Sequence, residues 1–289
     1  MKQRIITGAL MTIFVTPFII FGSYPMAIFI LILMSCGIIE LLKCRKLPIY
    51  FYVIGFISSF LLIFDVPLYI FEEYSFSYLE GILPNYKINV LWLILFLILV
   101  FISGIFDKNI DVGDVFYAFT SITLLSLGLK GLLYLRSIGG VDNALKGMWI
   151  VAYLLIVTCC TDIFAYFGGI SCYKILGSDN IHKLNERVSP KKTIEGTIIG
   201  TIFGTVLGFI FAIFVLKDMA WYYYLLLSFI LSLVGQIGDL TMSLIKRHYQ
   251  IKDFSNLLPG HGGVLDRIDS LLLNSMVAAI FMSIMLFMI

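Results

Sequence analysis

Nine apolar runs, each approaching the width of a bilayer, constrain this 289-residue chain more than any motif in it. A helix that crosses a membrane needs about 20 mostly apolar residues. Runs near 5–21, 25–42, 49–64, 88–106, 115–134, 148–166, 193–216, 221–245 and 268–288 meet or approach that length. They are continuous rather than alternating, which excludes a transmembrane β-barrel. Hydrophobic residues make up 60% of the chain and charged residues 13%, against about 25% charged in soluble domains. Mean hydropathy is +1.01. The expected fold class is all-α, a polytopic integral membrane protein with about nine transmembrane helices.

Charge and cysteine usage exclude further classes. A net charge of +2, dispersed along the chain, is too small for a nucleic-acid-binding footprint. Five cysteines without a C-x-x-C pair indicate neither a disulfide framework nor a zinc site. The first apolar run follows Lys2 and Arg4 but has no small-residue cleavage site, and reads as a retained helix rather than a signal peptide. With the N-terminus inside, fifteen of the twenty Lys and Arg residues fall in inner segments. That bias favours an inside N-terminus and an outside C-terminus. The stretch 65–87, with Asp65, Glu72, Glu73 and Glu80, is expected on the outer side.

The polar residues are unevenly placed. Residues 1–146 read as scaffold and lipid-facing helices, and residues 147–289 as the catalytic region with inner loops 170–192 and 246–267. In Ser189-Pro190-Lys191-Lys192-Thr193, Ser189 suits an N-cap and Pro190 a first helical position. Two lysines would then sit in a first turn where cations are disfavoured unless an anion binds there. Flanking lysines that touch only lipid headgroups are the plainer reading of the same residues. The glycines 196, 200, 204 and 208 form a stripe that lets a second helix approach closely.

Asp239 interrupts an apolar run, with Gln236 and Ser243 on its face, and Asp162 ends another. A carboxylate at membrane depth is costly unless paired or metal-bound. Asp266 and Asp269 open the last helix at i, i+3 spacing, where ion pairing with Arg247 or Arg267 is the alternative to a functional role. Gly260, His261, Gly262 and Gly263 form a loop that could turn backbone N–H groups toward an anion, between Lys246-Arg247 and Asp266-Arg267.

The 27 residues from Ser243 to Asp269, S-L-I-K-R-H-Y-Q-I-K-D-F-S-N-L-L-P-G-H-G-G-V-L-D-R-I-D, resemble the signature of phosphatidate cytidylyltransferases. Ser189 to Gly196 and Asp162 to Gly168 also look like blocks of that family, in the same order. The resemblance implies transfer of a cytidylyl group from CTP to phosphatidic acid at a membrane, with no Ser or Cys nucleophile. It implies Mg²⁺ on Asp239 and Asp266, with Lys191, Lys192 and His261 as further catalytic groups. Substrate contacts would come from Asp162, Ser189, Lys191, Lys192, Lys246, Arg247, Gly260, Gly262, Gly263 and Arg267. The expected location is a cell's inner membrane, with the site on the cytoplasmic side. Whether a second, monovalent cation or a second copy of the chain takes part is left open.

Three positions depart from the family pattern. Met242 stands where Glu is common, Phe164 where Gly is common, and the stretch 177–184 is longer than usual. Two rivals remain at this stage. One is a CTP-using membrane enzyme acting on another lipid phosphate or a polyprenol. The other is an ion-coupled transporter, which the crowding of polar residues into one half disfavours.

Overall fold

The computed structural model describes residues 2–65, 86, 88–140, 143–177 and 180–288. Among these, nine helices follow one another: α1 (Lys2–Phe21), α2 (Ser23–Arg45), α3 (Ile49–Phe64), α4 (Val90–Phe106), α5 (Val112–Ser137), α6 (Ala144–Leu176), α7 (Ile194–Val215), α8 (Trp221–His248) and α9 (Leu265–Met288). Strands β1 (Lys183–Asn185) and β2 (Ser189–Thr193) intervene between α6 and α7. Six helices, α2 and α5 to α9, are long and apolar enough to cross a membrane. The 16 residues of α3 reach only about 24 Å at 1.5 Å per residue, short of a bilayer core of about 30 Å. Most of the stretch 65–87 expected on the outer side lies outside the described residues.

Small residues decide which helices pack together. On α7, a Cβ at Gly196 would stand 2.6 Å from the Ala165 carbonyl oxygen, and one at Gly200 would stand 2.7 Å from that of Thr161. Gly204 meets the Thr161 side chain and Gly208 meets Val157, so the whole glycine stripe lies against α6. Phe164, one of the departures, stacks on Phe203 of α7 with ring centroids 4.4 Å apart. On α5, Gly128 and Gly131 admit α9, with Cβ positions 2.9 Å and 2.6 Å from the Leu272 and Ser275 carbonyl oxygens. One apolar core therefore joins Ile38, Leu41, Ile122 and Leu125 of the first half to Leu154, Leu231 and Leu272 of the second.

The sequence expectation of a helix beginning at Pro190 is overturned. Ser189–Thr193 is a strand antiparallel to Lys183–Asn185, pairing Ser189 with Asn185 and Thr193 with Lys183. Pro190, lacking an N–H, is tolerated on an edge strand. The N-cap is Thr193, whose hydroxyl accepts from Gly196 N at 3.1 Å. Glu195, not lysine, occupies the first turn, as the helix dipole prefers. At the other end, α6 runs ten residues past its expected limit to Leu176. Its 33 residues span about 50 Å and must project beyond a bilayer core of about 30 Å.

A polar clasp closes the end of the bundle that carries the hairpin. Asp111 caps α5 in a reciprocal box with Asp114, and Arg45 of α2 bonds both carboxylates. Arg45 also reaches the Tyr249 hydroxyl at 3.5 Å. The Asp114 amide, and then the Arg45 guanidinium, hold the Asp111 carboxyl below the usual range.

Candidate active site

Three aspartates come together from three helices. Asp162 lies on α6, Asp239 on α8 and Asp269 on α9. Gly238 permits the approach of α8 to α9, since a Cβ there would stand 2.9 Å from the Asp269 carbonyl oxygen. Oδ2 of Asp162 and Oδ1 of Asp269 each lie 3.4 Å from Ser270 Oγ. Ser270 N also donates to Asp269 at 2.8 Å. Three carboxyl groups brought together repel one another when ionised, which favours a cation among them. One is at hand: Lys192 Nζ stands 2.6 Å from Asp239 Oδ2, while Ser243 Oγ donates to Oδ1 at 3.3 Å.

Lys192 reaches Asp239 from a strand, not from a helix turn. Along β2, Pro190 and Lys191 are exposed, Lys192 is half-buried and Thr193 is buried, and the pairing with β1 is irregular across this stretch. The hairpin is held at its root by His182, which contacts Glu195 Oε1 through Nδ1 at 2.9 Å and through its amide at 3.1 Å. Its turn is held by Arg247, whose Nε donates to the Val188 carbonyl oxygen at 3.2 Å. Arg247 and Ser189 thus shape the hairpin. Gln236 joins α8 to α7, donating to Thr201 Oγ1 at 2.9 Å. Met242 is buried at 1% exposure, a packing residue where an acid was expected from the family pattern.

Asp266 has a different setting. Its Oδ1 pairs with Lys246 Nζ at 2.7 Å, and its Oδ2 accepts from the amides of Phe254 and Gly263, both at 2.9 Å. Its side chain is 2% exposed. Both oxygens are therefore committed within the chain.

The glycine loop is also spent largely on itself. Gly262 and Leu258 exchange two backbone hydrogen bonds, and His261 N donates to the Leu258 carbonyl oxygen. Gly260 and Gly262 have φ of 75° and 84°, the left-handed region that glycine tolerates. The amides of His261, Gly262 and Gly263 thus do not form the open anion nest expected from the sequence. What the loop lines is a cavity of about 490 Å³ bordered by Lys252, Asn256, His261 and Arg267. From α1, Thr7 Oγ1 donates to the Pro259 carbonyl oxygen at 3.1 Å, and Gly8 lies against the His261 ring.

Glu40 of α2 is the site-side residue that sequence reasoning missed. Buried in an apolar run, it accepts from Val264 N, Leu265 N and Ser255 Oγ. Its signal was the one used for Asp239, an acid inside a hydrophobic segment. Among the described residues, no three His, Cys, Asp or Glu side chains converge closely enough to hold a metal ion unaided.

The chain belongs to the cytidylyltransferase family, whose model matches residues 2–285. It is 35% identical over 275 residues to the phosphatidate cytidylyltransferase of Bacillus subtilis (strain 168), covering 94% of each chain. It is 30% identical over 272 residues to that of Staphylococcus aureus (strain COL), covering 93% of this chain and 94% of the relative. A third match, to the phosphatidate cytidylyltransferase of Staphylococcus saprophyticus, is 34% identical over 157 residues.

Proposed function

We propose that this integral membrane enzyme transfers a cytidylyl group from CTP to phosphatidic acid, giving CDP-diacylglycerol and pyrophosphate. The observation that carries the reading is the Lys192–Asp239 pair among the Asp162 and Asp269 carboxylates, in a chain matched end to end by this family. An oxygen of the lipid phosphate attacks the α-phosphorus of CTP, and the bond from that phosphorus to the oxygen leading to the β-phosphate breaks. Negative charge collects on both partners, so cations must flank the reacting atoms. Lys192 would swing from Asp239 onto a phosphate oxygen, keeping an anionic partner throughout. His261, Lys252 and Arg267 border a cavity suited to anionic groups.

The donor set suits Mg²⁺ at Asp239. This cation takes one or two carboxylates and completes its shell with water and substrate phosphates, so a closed protein cage is not required. Asp239 is 28% exposed and has one oxygen held only by a long Ser243 contact. Asp266 would join as a second ligand once Lys246 yields its Oδ1. Bound there, Mg²⁺ would supply charge neutralisation for the triphosphate.

The test is turnover by the purified protein in detergent. CTP and phosphatidic acid should yield pyrophosphate and CDP-diacylglycerol in equal amounts. Turnover only with a different lipid phosphate or a polyprenol would overturn the substrate assignment.

The two lysines should separate in the same assay. Lys192→Gln should lower kcat/KM for CTP roughly ten- to more than a hundredfold, the effect of losing a charged contact of about 1.5–3 kcal/mol. Lys191→Gln, at an exposed position of β2, should cost no more than about 0.2–1 kcal/mol, roughly fivefold at most. Equal losses in both would contradict the distinction drawn from the Lys192–Asp239 pair and the exposure of Lys191.

The hairpin and the 249–264 loop would face the cytoplasm, where CTP is available. The excess of Lys and Arg on that side supports this orientation. A cysteine at the exposed Asn256, in a background without the native cysteines, should react only with reagents admitted to the cell interior. Labelling from outside intact cells would reverse the orientation.

A further inference from the structure

Glu40 lies within α2 at 4% exposure, in the half of the chain expected to be scaffold. Its Oε1 accepts from Val264 N at 2.9 Å and from Ser255 Oγ at 2.6 Å, and its Oε2 accepts from Leu265 N at 2.8 Å. These partners are two amides and a hydroxyl rather than a cation. Burying a carboxylate on such terms is costly. The cost is reduced because the donors open α9, where backbone N–H groups lack helical partners and the dipole is positive. The benefit is mutual, since the first turn of α9 obtains its acceptor from another helix. Gly263 is what lets the two meet: a Cβ there would stand 2.6 and 2.7 Å from the Glu40 oxygens.

We infer that Glu40 is a positioning residue for cytidylyl transfer, setting the first turn of α9 and the loop before it relative to Asp239 and Lys192. The inference rests on the function proposed above. Asp266 grips the same segment through Phe254 N and Gly263 N, so the loop is clamped between two buried carboxylates. Asp266 belongs to α9 itself and moves with it. Glu40 belongs to α2 and ties the turn to the first half of the chain, whereas Asp266 ties it to Lys246 of α8. A carboxylate suits this role because it only accepts. Gln in its place would turn an NH₂ group toward at least one of the three donors.

The experiment compares Glu40→Gln with the wild-type protein in detergent. Folding is followed by circular dichroism, loop order by amide exchange over 249–264, and function by kcat and KM. The variant should remain helical, exchange faster in that loop, and lose roughly ten- to a hundredfold in kcat with KM for phosphatidic acid within about twofold, as expected for misplaced rather than missing groups. A lower melting temperature with unchanged kcat and unchanged loop exchange would make Glu40 a merely structural residue and overturn the inference. Should Glu40→Gln fail to fold, Gly263→Ala displaces the carboxylate without removing it, and must show the same two losses. Normal kcat in a folded Gly263→Ala would be equally fatal. Exchange is read without substrate, so the two ideas fail separately: a wild type inactive on phosphatidic acid overturns the function, and unchanged exchange in the variant overturns the positioning.

Discussion

Asp239→Asn should purify as a folded membrane protein that transfers cytidylyl groups at least ~10²-fold more slowly than the wild type, the scale on which single electrostatic groups act in transition states. The substitution keeps shape and removes one of the three neighbouring carboxylates. Folding should survive, because Asp162 and Asp269 are relieved of a repulsion. Lys192 Nζ, itself buried, loses its partner, which should lower the melting temperature without unfolding the protein. A carboxamide oxygen is a poorer ligand for a hard cation, so added Mg²⁺ should restore only part of the rate. Near-normal turnover with an unchanged Mg²⁺ requirement would remove Asp239 from the reaction. Asp266→Asn offers the contrast. It strands a buried Lys246 and sets an NH₂ group against backbone donors, a loss on the order of 3–5 kcal/mol for a broken buried pair. Its inactivity would therefore report instability as well as chemistry.

Gly200→Leu should be the most damaging substitution away from the reacting groups. The Cβ alone would lie 2.7 Å from both the Thr161 carbonyl oxygen and the Ala165 Cβ, and neither can rotate away. Helices α6 and α7 would have to part, at a cost of at least ~1–3 kcal/mol for overpacking. They would carry Asp162 away from Asp239 as they did so. A lower melting temperature and a broadened gel-filtration profile are expected. Ile198→Leu, on the outward face of the same helix at 54% exposure, should change neither. A Gly200→Leu protein as stable as the wild type would show that the stripe does not set the helix spacing.

How much could be read in advance depended on how local the determining forces were. The nine apolar runs were legible because burial in lipid demands length and hydrophobicity, which a window of residues displays. The glycine stripe was legible because its period is the helix's own. The β-hairpin was not, because Ser189-Pro190 carries genuine helix-start signals and only pairing with Lys183–Asn185 decides against them. The tail of α6 was missed because Tyr173, Lys174 and their neighbours continue a helix beyond the apolar stretch, where hydropathy no longer speaks. At the site, Asp239 and Lys192 meet Asp162 and Asp269, while Asp266, expected beside Asp239, pairs with Lys246 instead. The amides of the glycine loop do not stand open, because the Leu258–Gly262 bridge and Asp266 take them. Glu40 escaped notice because its partners lie 215 to 225 residues away along the chain.

The hairpin that carries Lys192 also limits what the chain can tolerate in evolution or engineering. Surface turns are ordinarily where insertions and deletions accumulate. In a two-stranded ribbon, however, a slip of one residue exchanges the faces of every side chain. Adding or deleting one residue in the turn 186–188 would shift β2 against β1 and against the Arg247 contact to Val188, and move Lys192 off Asp239. The length of that short turn is thus as much a part of the chemistry as the lysine it delivers.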